Sequence, residues 1–161
     1  MNDDIVIIIP AYNPDQLFIN FLENLRNHGY RKIIIIDDGS RHESRHYFYD
    51  AEKIFECILI KHAVNLGQGR AYKSGFNYYL NHLKDGYENT IGVIQCDCDG
   101  QHDIEDIDKC ADLLRSNQDK FILGVRDFSD KSIPFRSRFG NKCTSWVFKF
   151  FCGLVCCIID I

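Results

Sequence analysis

The sequence predicts an α/β fold, with a mostly parallel central sheet flanked by helices. Three observations carry this. Unbroken β-branched runs occupy residues 5–9 and, within the strand-length segment 32–36, residues 33–36, as expected of strands buried on both faces of a parallel sheet. Segments with apolar residues at helical spacing separate the runs, the alternation that right-handed crossovers produce. Polar clusters recur at the carboxyl end of each predicted strand, the edge where ligands sit in open α/β sheets.

The first run, Ile5-Val6-Ile7-Ile8-Ile9, stops at Pro10-Ala11-Tyr12-Asn13-Pro14. Asn13 is expected to cap a helix whose first position is Pro14. Leu17, Phe18, Phe21, Leu22 and Leu25 then recur at helical spacing, and Gly29 marks the stop. The second run ends in Asp37-Asp38-Gly39-Ser40. Residues 42–53 carry a weak helical pattern, and residues 57–61 read as a third strand. Asn65-Leu66-Gly67-Gln68-Gly69-Arg70-Ala71 is a glycine-bearing turn that opens a helix reaching about Leu83. Residues 90–96 form a fourth strand leading into Asp97-Cys98-Asp99-Gly100-Gln101-His102-Asp103. Ile104, Ile107, Ala111 and Leu114 mark the next amphipathic helix, and residues 121–125 a fifth strand ending at Arg126-Asp127.

The acidic stretch after the fourth strand is the strongest chemical signal. Alternate residues of an extended segment share a side, so Asp97, Asp99 and Gln101 are able to converge. Oxygen ligands at that spacing suit a hard divalent cation, Mg²⁺ or Mn²⁺, which also takes oxygens from a substrate phosphate. A solvated acidic turn is the competing reading. Asp38 suits either a ribose or base edge or the cap of the next helix. Tyr12 offers a flat face to a base or plain packing. The Gly67-Gln68-Gly69 turn matches neither a dinucleotide fingerprint nor a Walker A loop. Arg126 suits phosphate oxygens or simple exposure. Taken together, the clusters at Pro10, Asp37, Asn65, Asp97 and Arg126 would gather on one edge, which favours a single site.

Composition narrows the partners. The chain has 161 residues, 45% of them hydrophobic, enough for one domain with a genuine core. Its net charge of −4 gives no electrostatic reason to expect nucleic acid. The eight cysteines show no paired ligand spacing, and Met1-Asn2-Asp3-Asp4 leads straight into a strand. They read as buried thiols of a reducing cytoplasm.

The set Pro10-Ala11-Tyr12-Asn13, Asp37-Asp38-Gly39-Ser40, Asn65 to Ala71, Asp97-Cys98-Asp99-Gly100-Gln101-His102, Gly124-Val125-Arg126 and Ser137-Arg138-Phe139-Gly140-Asn141-Lys142 resembles glycosyltransferase family 2. Within it, the resemblance is to the dolichyl-phosphate mannosyltransferase-like branch and its bacterial polyprenyl-phosphate relatives. This implies a GT-A fold, a nucleotide-binding sandwich taking a UDP- or GDP-linked sugar and a divalent metal, Mg²⁺ or Mn²⁺. It also implies inversion at the anomeric carbon and an acceptor that is a polyprenyl phosphate or a saccharide. By the same resemblance, Pro10, Ala11, Tyr12, Asn13, Asp38, Gly67, Arg70, Asp97 and Cys98 form the donor site. Asp97, Asp99 and Gln101 hold the metal, and Asp99, Arg126 and Arg138 are catalytic, the arginines meeting donor and acceptor phosphates.

Departures from the pattern are Pro14, where many relatives carry Glu, and Asp127-Phe128-Ser129-Asp130, an unfamiliar version of its loop. The chain also stops at Ile161, before the closing region of those relatives. Residues 1–142 are therefore expected to form the nucleotide-sugar-binding catalytic domain, and residues 143–161 an apolar segment. That segment, rich in Phe, Cys and Ile, suits an interfacial helix at the cytoplasmic face of the plasma membrane, missing acceptor-side structure, or a homodimer contact. Two other functions stay open. One is a catalytically incomplete, nucleotide-binding remnant. The other is a sugar nucleotidyltransferase, which should show a Gly-rich, Arg-bearing loop after the first strand.

Overall fold

The computed structural model describes residues 2–100, 102–118, 121–125 and 157–160. The chain divides into two compact units, Met1–Ala111 and Asp112–Ile161.

In the first unit, four parallel strands stand in the order β3-β2-β1-β4. They are β1 (Ile5–Ala11), β2 (Lys32–Asp37), β3 (Ile58–Lys61) and β4 (Gly92–Gln95). The helices are α1 (Gln16–Asn27), α2 (Arg45–Lys53), α3 (Gln68–Asn81) and α4, which begins at Ile104 and ends at Ser116. The predicted α/β class and parallel sheet are what the chain adopts. The third, fourth and fifth strands are each shorter than their apolar runs suggest, because a run marks burial while ladder pairing marks the strand. Residues 42–53 resolve into a 3₁₀ turn, His42–Ser44, followed by α2.

The path from β1 to β3 steps outward in one direction. The crossover through α3 then returns to the other flank of β1, so the strand order reverses between β1 and β4. Every residue of β1 is buried, which for a central strand requires cover on both faces. On one face Val6, Ile8, Ile34 and Ile36 pack with Ala71, Tyr79 and Tyr87. α3 lies close here because Gly75 has no side chain. A Cβ there would stand 2.7 Å from Ile8 Cγ2 and 2.9 Å from Ile36 Cδ1.

Pro10 sits in a central strand, where a missing N–H is ordinarily costly. Ile8 turns its carbonyl to the β4 side and accepts the Cys96 amide at 3.1 Å. Two residues on, Pro10 faces that same side beyond the last β4 pairing, so no ladder bond is lost.

α1 starts two residues later than predicted, at Gln16. Asp15 is its cap, accepting the Leu17 amide at 2.9 Å. Asn13 does not cap it, because its backbone turns through φ 51° and its side chain is engaged elsewhere. The helix ends as Gly29 predicts. The Gly29 amide donates to Arg26 and the Tyr30 amide to Leu25, both at 3.0 Å, the paired bonds of a Schellman stop. α4 is tied to this corner by Asp108, which accepts the Tyr30 hydroxyl and meets His28 Nδ1, each at 2.7 Å.

In the second unit, β5 (Ile122–Val125) pairs in parallel with β6 (Cys157–Asp160). Within the apolar segment 143–161, the described residues 157–160 do not continue as the interfacial helix that was one expectation. Residues 157–160 are extended, as the β-branched pair Ile158-Ile159 favours, and they pair with a strand of their own chain. Residues 143–156 lie outside the described residues.

Candidate functional site

The crossover places an open cleft at the carboxyl ends of the strands, with a volume of about 340 Å³. Pro10, Ala11 and Tyr12 contribute from the end of β1, Asp38 from just after β2, Asn65, Gly67 and Gln68 from the approach to and start of α3, and Asp97, Cys98 and Asp99 from the segment after β4. This is the switch point of the sheet, where the diverging connections from β1 and β4 leave a crevice.

Eight of the predicted site residues thus share one cleft: Pro10, Ala11, Tyr12, Asp38, Gly67, Asp97, Cys98 and Asp99. Asn13 and Arg70 are not among its lining residues. Asn13 instead ties two loops together, its amide donating to Ser40 Oγ at 2.9 Å and its Oδ1 accepting the Arg41 amide at 2.8 Å. Arg70 is exposed on the first turn of α3. Gln101, Arg126 and Arg138 lie outside the described residues.

Asp38 is almost wholly buried, at 3% exposure, and its side chain is held on three sides. Oδ1 pairs with His62 Nδ1 at 2.7 Å and accepts the Leu66 amide at 2.9 Å, while Oδ2 accepts the Gly67 amide at 2.8 Å. It therefore does not cap the next helix. It fastens the loop between β3 and α3 onto the end of β2. Burial pushes its carboxyl up, but the hydrogen bonds from His62, Leu66 and Gly67 and the His62 charge together leave it below its ordinary 3.8.

That shift has a measurable consequence. A carboxyl whose folded value is depressed adds stability above its unfolded value and loses it as pH falls through the folded one. The urea midpoint of the wild-type chain is thus expected to exceed that of Asp38→Asn at neutral pH, with the gap closing below about pH 4. A gap that stays constant into acid would contradict the assignment.

Asp97 and Asp99 do not sit on an extended segment. The strand ends at Gln95, and residues 98–99 turn, with Gly100 at φ 71°. Aspartate and glycine favour such a turn over continued pairing, yet Asp97, Cys98 and Asp99 all still border the cleft. Asp97 Oδ1 accepts hydrogen bonds from Gln68 Nε2 and, at 3.2 Å, from the Tyr72 hydroxyl. His102 Nε2 stands 3.8 Å from its Oδ2. Burial foremost, and then the Asp97 charge, push the Tyr72 phenol up, so it keeps its proton and stays a donor. The Cys98 thiol is likewise raised, chiefly by burial, although a hydrogen bond with the Tyr12 backbone acts the other way.

Among the described residues, no three or more His, Cys, Asp or Glu side chains form a ready metal cage. Two carboxylates on one open cleft are nonetheless the donor set that Mg²⁺ uses when substrate phosphates and water complete its shell. Asp97 and Asp99 fit such an ion.

His62, Gln68 and Tyr72 are site residues that sequence reasoning missed. Gln68 and Tyr72 carry a legible signal, the spacing of four that puts both on one helix face. His62 carries only its place, the first residue after β3.

A family model described as Glycosyl transferase family 2 matches residues 6–153. The UDP-N-acetylglucosamine–dolichyl-phosphate N-acetylglucosaminyltransferase of Methanococcus voltae is 31% identical over 160 residues, covering 89% of this chain and 61% of that protein. Glycosyltransferase AglJ of Haloferax volcanii is 25% identical over 153 residues, covering 94% of this chain and 46% of its own length. The chain spans roughly half the length of the curated relatives it matches. Residues 1–349 of TarS from S. aureus share the fold at a TM-score of 0.55 and 14% identity, over 81% of this chain and 38% of that one.

Proposed function

The chain belongs to glycosyl transferase family 2, and on that premise we propose that it moves a sugar from a nucleoside-diphosphate donor to a polyprenyl phosphate. The observation that carries this reading is the cleft itself. It sets the Asp97 and Asp99 carboxylates and the buried Asp38 carboxylate around one crevice at the sheet's switch point. The acceptor class is supported by the Methanococcus voltae relative, whose name specifies a dolichyl phosphate.

In this reading Tyr12, about half exposed at 46%, gives its ring face to the base, and Asp38 accepts a hydrogen bond from the nucleoside. Asp97 and Asp99 hold Mg²⁺ or Mn²⁺, which would neutralise charge on the diphosphate when bound. An oxygen of the acceptor phosphate attacks the anomeric carbon. The bond from that carbon to the donor diphosphate breaks with its electron pair, the nucleoside diphosphate leaves, and configuration inverts. The acceptor is already an anion, so the step needs no strong general base. Asp103 has another task, accepting the Glu105 amide at 3.1 Å at the start of α4. A polyprenyl acceptor would place the reaction at the cytoplasmic face of a membrane.

Transfer of radiolabelled sugar from UDP- and GDP-linked donors into solvent-extractable polyprenyl phosphate tests the proposal. Label in the lipid fraction is expected, and none with either donor would refute transfer. A second reading is donor binding without transfer. Nucleotide binding with no labelled lipid would select it.

A further inference from the structure

We propose that His62, backed by Ser74, is a positioning residue that fixes which oxygen of Asp38 is offered to the nucleoside. The inference rests on the reading of the cleft as a nucleotide-sugar site.

Three side chains form a chain of hydrogen bonds behind the cleft wall. His62 Nδ1 is 2.7 Å from Asp38 Oδ1, and His62 Nε2 is 2.8 Å from Ser74 Oγ. The imidazole is 10% exposed and the carboxylate 4%. Neither His62 nor Ser74 borders the cleft, so neither has direct access to a ligand there. A carboxylate oxygen only accepts, so Nδ1 carries the hydrogen, and the Ser74 hydroxyl holds the ring through its other nitrogen. The ring plane is thereby set from α3.

Acceptor capacity decides what this does. A carboxylate has about four lone-pair directions. Oδ1 spends two of them, on His62 and the Leu66 amide, while Oδ2 spends one on the Gly67 amide. The remaining direction is on Oδ2, and Asp38 lines the cleft. Without His62, Oδ1 recovers a lone pair and the carboxylate loses one of the three contacts that oppose rotation about its χ2. A ligand N–H or O–H would then meet two alternative acceptors in place of one fixed oxygen. Ordering that acceptor on binding weakens affinity. α3 also supplies Gln68 and Tyr72 to Asp97, so one helix orients the carboxylates of both cleft walls.

Isosteric variants separate this role from mere support. The Nδ2 of His62→Asn reproduces the Nδ1 donor to Asp38, whereas the amide of His62→Gln reaches only toward Ser74, whose hydroxyl either donates or accepts. Calorimetric titration with UDP and with GDP, in Mn²⁺, is expected to show about tenfold weaker binding for His62→Ala and His62→Gln, the loss of one charge-assisted hydrogen bond. His62→Asn is expected to recover within about threefold of wild type. Ser74→Ala, a smaller change, should weaken binding by about threefold while leaving the thermal midpoint nearly unchanged. Affinity that is unaltered in His62→Ala, or equally lost in Asn and Gln variants that melt like wild type, overturns the inference. If His62→Ala does not fold, Ser74→Ala alone decides, and wild-type affinity there counts against the role. A wild-type chain that binds neither nucleotide would overturn the reading of the cleft, and the inference with it.

Discussion

Replacing Gly39 with alanine is expected to cost about 3 kcal/mol or more of stability, near the upper end of single-substitution effects. The backbone there stands at φ +74°, and a Cβ would lie 2.3 Å from the Val64 carbonyl carbon and 2.5 Å from the Asn65 nitrogen. Left-handed strain alone accounts for roughly 1 kcal/mol. The larger part comes from the overlap, because the atoms in the way are backbone and no rotamer relieves them. The loop from Val64 to Gly67 must move. That motion also pulls the Leu66 and Gly67 amides from a buried Asp38 carboxylate, leaving charge without its donors. Urea denaturation checks the value. Gly69→Ala is the control, since nothing lies within 4 Å of its Cβ position and alanine favours the first turn of α3. It should be neutral or stabilising by about 0.5 kcal/mol.

The second large effect is functional. Asp99→Ala and Asp97→Asn are expected to weaken nucleoside-diphosphate binding in Mn²⁺ on the order of 100-fold or more, with little change in the folding midpoint. Asp99 is exposed in a turn, so its loss opens no cavity. Asp97→Asn keeps the size of the side chain and an oxygen for Gln68 and Tyr72, but it removes the charge. In the presence of a chelator, the variants and the wild type should bind alike, because the carboxylates then have no cation through which to act. Variants that bind the nucleotide as tightly as wild type in Mn²⁺ would show that the two carboxylates hold no ion.

Much of this was legible in the sequence because burial leaves a repetitive trace. The runs at Ile5 and Ile33 announced strands covered on both faces, and Phe18, Phe21, Leu22 and Leu25 announced the inner side of α1, although Leu17 of the same pattern is exposed. The polar clusters announced the edge on which the cleft lies. What stayed hidden depends on pairing at a distance. Asn13 carries the residue type of a helix cap, but its partners are Ser40 and Arg41, some 27 positions away. His62 looked unremarkable because its meaning lies in Asp38 and Ser74, which the sheet brings to it. The acidic turn was read as extended because the strand's apolar run continues to Cys96. The ladder with β1 stops at Gln95, and the chain is then free to bend.

The central claim is that this cleft holds a nucleoside diphosphate through a cation on Asp97 and Asp99. Calorimetric titration of the wild-type chain with UDP and GDP, in Mn²⁺ and again in a chelator, tests it most directly. Saturable one-to-one binding of one nucleotide in Mn²⁺, lost in the chelator, is the predicted result. Equal affinity in both buffers, or no binding of either nucleotide, would contradict it.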